Sequence, residues 1–376
     1  MLNNNNFITI LTFNRENPEL APDFNKKYFK TYRSVGLCNQ LFSIINPILN
    51  SNNNFFIIDS FYLGNSSRKC APISKIIDLE RTSYKMSIIL NRPIYLLDRN
   101  NLNIEFISIF YGNNNHKIDI TDKFIDYFKK NESIKTDISL NDLFTDPVLN
   151  QSKELYIVYR IDDYMIQEIL PENKTKLMEE LSFNKDILNK KWDKSCRNFG
   201  WYDKNPSLFN NLLNSITFSK KIYKLVDSLS IPFKNTIHLR IEGDSIEFWS
   251  KQNKISEKAF YLFLIDKYKR HITENLDKNE NLLILSGVSE DHDFIKKLQE
   301  NYNVTIVDKS KLLKDFEYNG NELNAIIDLI LGFKTTDLFI GCHNMDKKRG
   351  STFTYTILNK LKNVKKYMID LDSIKT

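Results

Sequence analysis

From about residue 235 to residue 360, short apolar runs and helical periodicities take turns along the chain. This alternation narrows the possible folds more than any other feature. "TIHLRIEG" reads as a strand, "KAFYLFLIDKYKRHI" as a helix and "NLLILSG" as a strand. "DHDFIKKLQENY" follows as a helix, with Ser289 as its N-cap and Glu290, Asp291 and Asp293 in its first turn, where carboxylates complement the helix dipole. "VTIVD", "ELNAIIDLILGF", "DLFIG" and "TFTYTILNKL" continue as strand, helix, strand and helix. Such alternation predicts a parallel, doubly wound α/β sheet. Sheets of that kind take ligands at the carboxyl ends of their strands. Just upstream, "LFNNLLNSITFSKKIYKLVDSL" (208–229) carries one long helical periodicity that ends before Pro232.

The first half is patterned more loosely. "KKYFKTYRSV" holds a strand, Gly36 follows, and Leu41, Phe42, Ile44, Ile45, Ile48 and Leu49 recur at helical spacing, with Pro47 set to kink or end that helix. "NFFIID" reads as a buried strand, which completes a β-loop-α-β unit. "NIEFISIFYG" and "ELYIVYRID" read as strands, and Pro171 breaks the segment after them; the topology of residues 100–205 stays open. A chain of 376 residues exceeds one ordinary core. Two domains are therefore expected, 1–205 and 206–376.

Composition excludes several classes. With 41% hydrophobic and 27% charged residues the chain is globular rather than disordered. The net charge of +6 suits an anionic small ligand, while the scattered lysines leave no nucleic-acid footprint. Cys38, Cys70, Cys196 and Cys342 form no C-x-x-C and read as free thiols; the five histidines show no ligand spacing, so no metal is expected. No stretch approaches the ~20 apolar residues of a membrane span, and the start lacks a signal-peptide pattern. A cytoplasmic protein is the expectation.

Three short segments combine polar groups with glycine at strand ends or helix starts. In "GLCNQ", Gly36 would let a ligand approach the backbone and Asn39 would add an amide donor, or Gly36 is a turn residue and Asn39 a cap. In "IHLRIEGD", strand alternation sends His238, Arg240 and Glu242 one way and Ile237, Leu239 and Ile241 the other. Arg240 suits bidentate contact with a pyrophosphate, and Glu242 or Asp244 could act as general base or brace Arg240. The competing reading is a half-exposed edge strand with a surface ion pair. In the last segment, Gly341 ends a strand and "GSTF" opens the final helix, where Ser351 and Thr352 form a phosphate cradle or simply an N-cap. Lys347, Lys348 and Arg349 read as a solvated loop. The D-x-D of "SEDHD" is a helix first turn rather than a metal site, and Cys342 and His343 point apart as neighbours in an extended segment.

Together these segments resemble the GDP-fucose-dependent fucosyltransferases of the protein O-fucosyltransferase, α1,2- and α1,6-fucosyltransferase superfamily. "GLCNQLF" is similar to that superfamily's first motif, G-x-G-N-Q, and "HLRIEGD" to its H-x-R motif, closest to the protein O-fucosyltransferase-like branch. "DLILGFKTTDLFIG…GSTFTYTI" is similar to its C-terminal nucleotide-binding motif. Cys38 stands where the family has a second glycine, and Ile241 where the α1,2 branch often has a second arginine.

The resemblance implies a GT-B fold, two Rossmann-like domains facing a central cleft, with an acceptor-side domain at 1–205 and a nucleotide-sugar domain at 206–376. It implies inverting, metal-independent transfer of fucose from GDP-fucose to a hydroxyl of a glycan or protein acceptor. On that resemblance Arg240 contacts the diphosphate, His238 lines the guanine pocket and Asp328 reads guanine. Ser351, Thr352 and Phe353 hold phosphate, Asn39 lies near the pyrophosphate beside Gly36, and Glu242 and Asp244 stay as catalytic candidates with Arg240. Two alternatives stand beside this: a GT-B transferase using another nucleotide sugar, and an inactive relative that binds a glycan or protein.

Overall fold

The computed structural model describes residues 26–29, 36–50, 55–58, 60–64, 70–98, 104–131, 139–161, 164–172, 205–344 and 349–371. The chain opens with β1 (Lys26–Phe29), α1 (Leu37–Leu49), β2 (Phe55–Ile58), β3 (Ser60–Tyr62) and β4 (Cys70–Pro72). The short α2 (Ile73–Ile76), α3 (Leu79–Leu90) and β5 (Tyr95–Asp98) come next. β1, β2 and β5 form a parallel sheet in that order, so the β-loop-α-β unit expected here is present. Pro47 lies in the last turn of α1, two residues before the helix ends.

The middle of the chain builds a separate antiparallel sheet. β6 (Ile104–Gly112), β7 (Lys117–Asp119), α4 (Thr121–Asn131), α5 (Leu140–Phe144), β8 (Glu154–Ile161) and β9 (Tyr164–Pro171) give the order β7-β6-β8-β9. The segment around Pro171 is thus the last strand of this sheet. Proline is admitted there because β9 is an edge strand, where a missing N–H breaks no ladder.

The second half begins with α6 (Pro206–Ser215) and α7 (Lys220–Asp227), two helices where the periodicity predicts one. The break has a tertiary cause. Between them the backbone pairs with residues 76–78: Phe218 bridges Ile77, Asp78 N–H donates to Thr217 O, and Ser219 N–H donates to Ile76 O.

The alternating region follows as β10 (Asn235–His238), α8 (Gly243–Asn253), α9 (Glu257–Asn275), β11 (Asn281–Leu285) and α10 (Asp293–Gln299). It continues through β12 (Asn303–Thr305), α11 (Lys309–Leu312), α12 (Asn321–Phe333), β13 (Leu338–Asn344), β14 (Arg349–Gly350), α13 (Thr352–Lys360) and β15 (Lys365–Ile369). Ser289 does not cap α10. Its Oγ accepts from Asp291 N–H and its carbonyl from His292 N–H, closing a turn, and His292 Nδ1 caps the helix instead.

The parallel strands run β12-β11-β10-β13-β15, with β14 turned back antiparallel on the end of β13. In chain order this is third, second, first, fourth, fifth, a doubly wound α/β arrangement whose direction reverses between β10 and β13. β10 is central and all four of its residues are buried, which overturns the edge-strand reading of this segment.

Each face of the sheet has its own apolar layer. Ile237, Leu239, Ile241, Ile284, Ile340 and Cys342 join Phe260, Leu264 and Tyr268 of α9 on one side. On the other, Leu283, Leu285 and Phe339 join α12 and α13 with Leu41, Phe42, Ile44 and Ile45 of α1. α1 is apolar around most of its circumference and accordingly buried. Residues from both sides of position 205 therefore share one core, where each fully buried Leu, Ile or Phe contributes about 1.5–3 kcal/mol.

Candidate functional site

The reversal between β10 and β13 is where a doubly wound sheet opens a crevice at the carboxyl ends of its strands. The chain leaving β10 carries Arg240, Glu242 and Asp244; the end of β13 carries Cys342 and His343. Ile237 pairs with Ile340, so the two strands end beside each other, with Arg240 just past the end of one and His343 near the end of the other.

The alternation read from "IHLRIEGD" persists beyond the strand, because Ile237, Leu239 and Ile241 all enter the α9-side core. Arg240 is braced twice: Nη1 donates to Glu242 Oε2 at 3.0 Å and Nη2 to Asp244 Oδ2 at 3.2 Å. Burial opposes its charge, and the two carboxylates more than offset this, raising its pKa. The other N–H groups of the fork remain for a ligand. Glu242 is itself tied down, its Oε1 accepting from Gly287 N–H at 2.9 Å at the end of β11. Asp244, by contrast, projects into solvent from the first turn of α8.

Tyr268 of α9, absent from the sequence reading, fixes the backbone beneath Arg240. Its hydroxyl donates to His238 O at 2.7 Å and accepts from Arg240 N–H at 3.0 Å, and it lies 2.9 Å from Cys342 Sγ. A lone tyrosine on an apolar helix face gave no signal of this.

His238 ends β10 as a buried side chain. Its Nδ1 shares a 2.7 Å hydrogen bond with Thr354 Oγ1, and its ring lies 4.6 Å from that of Phe353. Burial, aided by Arg240, pushes its pKa down to about 3, so the imidazole is neutral at ordinary pH. Thr354 Oγ1 also accepts from Cys342 N–H at 3.3 Å, and the fit over β13 is close. A Cβ at Gly341 would stand 2.7 Å from Thr354 Cγ2 and 2.9 Å from its Oγ1, so only glycine lets α13 approach here.

Ser351 is the N-cap of α13, with Oγ accepting from Thr354 N–H at 3.3 Å, and Thr352 is the first helical residue. The cap reading of Ser351 is thus observed, and its neighbours Gly350 and Thr352 line a cavity at this end of the sheet. Lys347 and Lys348 lie outside the described residues; Arg349 belongs to β14.

Asp328 of α12 is buried, its Oδ2 paired with Lys309 Nζ at 2.8 Å and its Oδ1 without a hydrogen-bond partner among the described residues. Burial lifts its pKa to about 6, with Lys309 opposing and Glu242 assisting the rise. Glu242 is thus close enough to Asp328 for its charge to be felt there.

Gly36 is the exposed N-cap of α1 at φ −60°, ψ 171°, a conformation open to any residue, and a Cβ there meets no described atom within 4 Å. Asn39 lies in the first turn, three residues before Phe42 and so on the same face. Cys38 is buried and bonded to Thr356, and burial pushes its thiol up to about 12. It packs α1 on α13 and is not part of the lip. Gln40 is structural too, both of its amide atoms being bonded to the Tyr62 backbone.

On the β13 side the crevice deepens into a cavity of about 390 Å³ between Phe42 of α1, Phe248 and Trp249 of α8, His343, Thr352 and Tyr355. Cys342 and His343 do point apart: Cys342 meets Tyr268, and the His343 ring lies 5.2 Å from that of Tyr355. The cavity was not legible in the sequence because its walls come from distant segments. Among the described residues no group of three or more His, Cys, Asp or Glu could hold a metal ion, and no helix is long and apolar enough to cross a membrane.

No protein-family model and no curated protein matches the chain. Among solved structures, the fold is similar to NodZ alpha-1,6-fucosyltransferase soaked with GDP-fucose, at 9% identity and a TM-score of 0.38 over 90% of this chain and 93% of that one. It is also similar to apo POFUT1, at 9% identity and a TM-score of 0.40 over 93% of this chain and 99% of that one. Fucosyltransferase NodZ from Bradyrhizobium matches at 11% identity and a TM-score of 0.39, over 89% and 93% of the two chains. A likeness this distant says nothing of individual residues or of chemistry.

Proposed function

We propose that the chain is a glycosyltransferase that binds a nucleotide-sugar donor at the β10–β13 crevice. The observation that supports it best is a braced guanidinium, Arg240, at the carboxyl end of the central strand, with the buried and half-paired carboxylate of Asp328 nearby. A nucleoside diphosphate offers what both lack. Its phosphates take the free N–H groups of Arg240 and of the α13 N-terminus. A guanine offers N1–H and N2–H to the carboxylate of Asp328, which uracil, with one N–H, cannot match.

The particular activity we infer is transfer of fucose from GDP-fucose to an acceptor hydroxyl, with inversion and without an obligatory metal, in a GT-B arrangement with the cleft between the two halves of the chain. The motif resemblance of the Gly36–Asn39, His238–Arg240 and Ser351–Phe353 segments supports the choice of donor. In this mechanism Arg240 offsets the charge that grows on the departing diphosphate, which is where a fixed cation lowers the barrier. Glu242 holds Arg240 by two routes, through its own ion pair and through Gly287. That role as a brace suits its geometry better than proton abstraction. The test is thermal stabilisation by nucleotides, with GDP expected to raise the melting temperature and UDP to leave it unchanged. Stabilisation by UDP alone would rule out the guanine assignment.

A further inference from the structure

The cavity on the β13 side contains a group that the donor reading leaves unused. His343 is only 4% exposed, yet neither ring nitrogen has a partner at hydrogen-bond geometry among the described residues. A looser backbone hydrogen bond with Ser351 opposes the burial that pushes its pKa down to about 4, leaving the ring at most partly satisfied. A buried polar group left unpaired costs about 1–3 kcal/mol. The ring is neutral and so offers one donor and one acceptor. The complement of that pair is a hydroxyl, which also gives one and takes one.

The rest of the wall fits the same ligand. Phe248 is 55% exposed, a large apolar ring held toward solvent beside Trp249, with Tyr355 across the cavity. Gln252 adds an amide at the same mouth. Aromatic faces with a few hydroxyl-matching polar groups suit the C–H face and hydroxyl rim of a pyranose. The volume of about 390 Å³ lies in the usual range for small-molecule sites, about 300–1,000 Å³. Arg349, Gly350 and Thr352 complete the lining, so the cavity adjoins the α13 N-terminus proposed above to take phosphate, while Asp328, Lys309 and Arg240 are not among its walls.

We infer that this cavity is the acceptor subsite, and that it holds a neutral sugar ring against Phe248 and Trp249 with one hydroxyl hydrogen-bonded to His343. The inference deepens the transferase reading and rests on it for the word acceptor. Because Thr352 at the α13 N-terminus lines the same cavity as His343, a sugar bonded to His343 lies alongside the groups proposed to hold the diphosphate.

The experiment titrates the full chain, saturated with GDP, with methyl glycosides of glucose, galactose, mannose and N-acetylglucosamine, and reads binding by calorimetry. At least one glycoside is expected to bind. Phe248→Ala and His343→Leu are expected to weaken it about tenfold, about 1.4 kcal/mol, with GDP affinity within about twofold of wild type. His343→Gln, which keeps one donor and one acceptor, should recover part of the loss. Phe248 is the safer probe because a half-exposed side chain is least able to disturb the fold. Absence of binding by all four glycosides overturns the inference, as does unchanged binding in Phe248→Ala and His343→Leu. Equal loss of GDP and glycoside affinity also overturns it, because the cavity is then part of the nucleotide site. If wild type binds glycosides but no GDP, the donor reading fails while the sugar subsite stands.

Discussion

Gln40 closes both of its side-chain hydrogen bonds on the backbone of Tyr62, Nε2 donating to O and Oε1 accepting from N–H, each at 2.9 Å. Both bonds are buried, so Gln40→Leu removes two buried hydrogen bonds together. The expected loss is about 1–3 kcal/mol by chemical denaturation, at about 0.5–1.5 kcal/mol for each bond. Asn39→Ala, one residue away but half-exposed, should leave stability within about 0.5 kcal/mol. If Asn39 serves the donor, that variant weakens GDP binding instead.

The bracing of Arg240 is unequal, and its two carboxylates should respond differently. Glu242→Gln frees one arm of the guanidinium and loosens the tie to Gly287, so kcat should fall at least about tenfold. Asp244→Asn removes only a solvent-exposed partner, worth about 0–1 kcal/mol, and should change kcat less than about fivefold. Arg240→Lys should lose most transfer, since a point charge does not replace a planar fork. Steady-state kinetics with GDP-fucose distinguish the three.

Tyr268→Phe deletes one oxygen and no volume. It leaves His238 O and Arg240 N–H without their shared partner, so about 1–3 kcal/mol of stability should go. Transfer should fall further than that loss explains, because Arg240 then rides on an untied turn. Activity measured well below the melting temperature, where the variant is fully folded, isolates the second effect.

Binding of GDP should weaken as pH falls through about 6. Asp328 takes up its proton near that value, well above the usual range near 3.8. A protonated carboxyl loses one of the two acceptors that guanine needs. The dissociation constant for GDP, followed from pH 7.5 to 5, should rise in wild type. In Asp328→Asn it should already be high and vary little with pH.

Acid should destabilise the fold partly through His238. In the unfolded chain its imidazole charges near 6.5, but in the fold only near 3. Between those values the unfolded state binds more protons, so stability falls with pH at about 1.4 kcal/mol per unit for this one group. Asp328, whose pKa is raised to about 6, works in the opposite sense between about 6 and 3.8. His238→Asn, which keeps an atom in reach of Thr354, removes only the histidine contribution. The difference in unfolding free energy between it and wild type should narrow steadily from pH 6.5 to 4.

Much of the frame around Arg240 was legible because it is written in local pattern. The two-residue alternation of Ile237, Leu239 and Ile241 against His238 and Arg240 survives into the structure, and so does the alternation of strands and helices after 235. What was not legible depends on partners far away in the chain. The split between α6 and α7 follows from pairing with residues 76–78, and the role of Gln40 from Tyr62, neither of which leaves a trace nearby. Cys38 reads as an altered motif position, but in the fold it is buried against Thr356, where it packs α1 on α13. The cavity around His343 draws on α1, α8, β13 and α13, and no local window contains it.

The tight seat of Thr354 on Gly341 also limits how this molecule can vary. Any chain that keeps a hydroxyl on the histidine ending its central strand must leave the neighbouring strand bare at the crossing point. In this chain that demand couples His238 to Gly341 and to Thr354, thirteen positions after it: a side chain at 341 pushes Thr354 off the histidine, so the three residues can only be changed together.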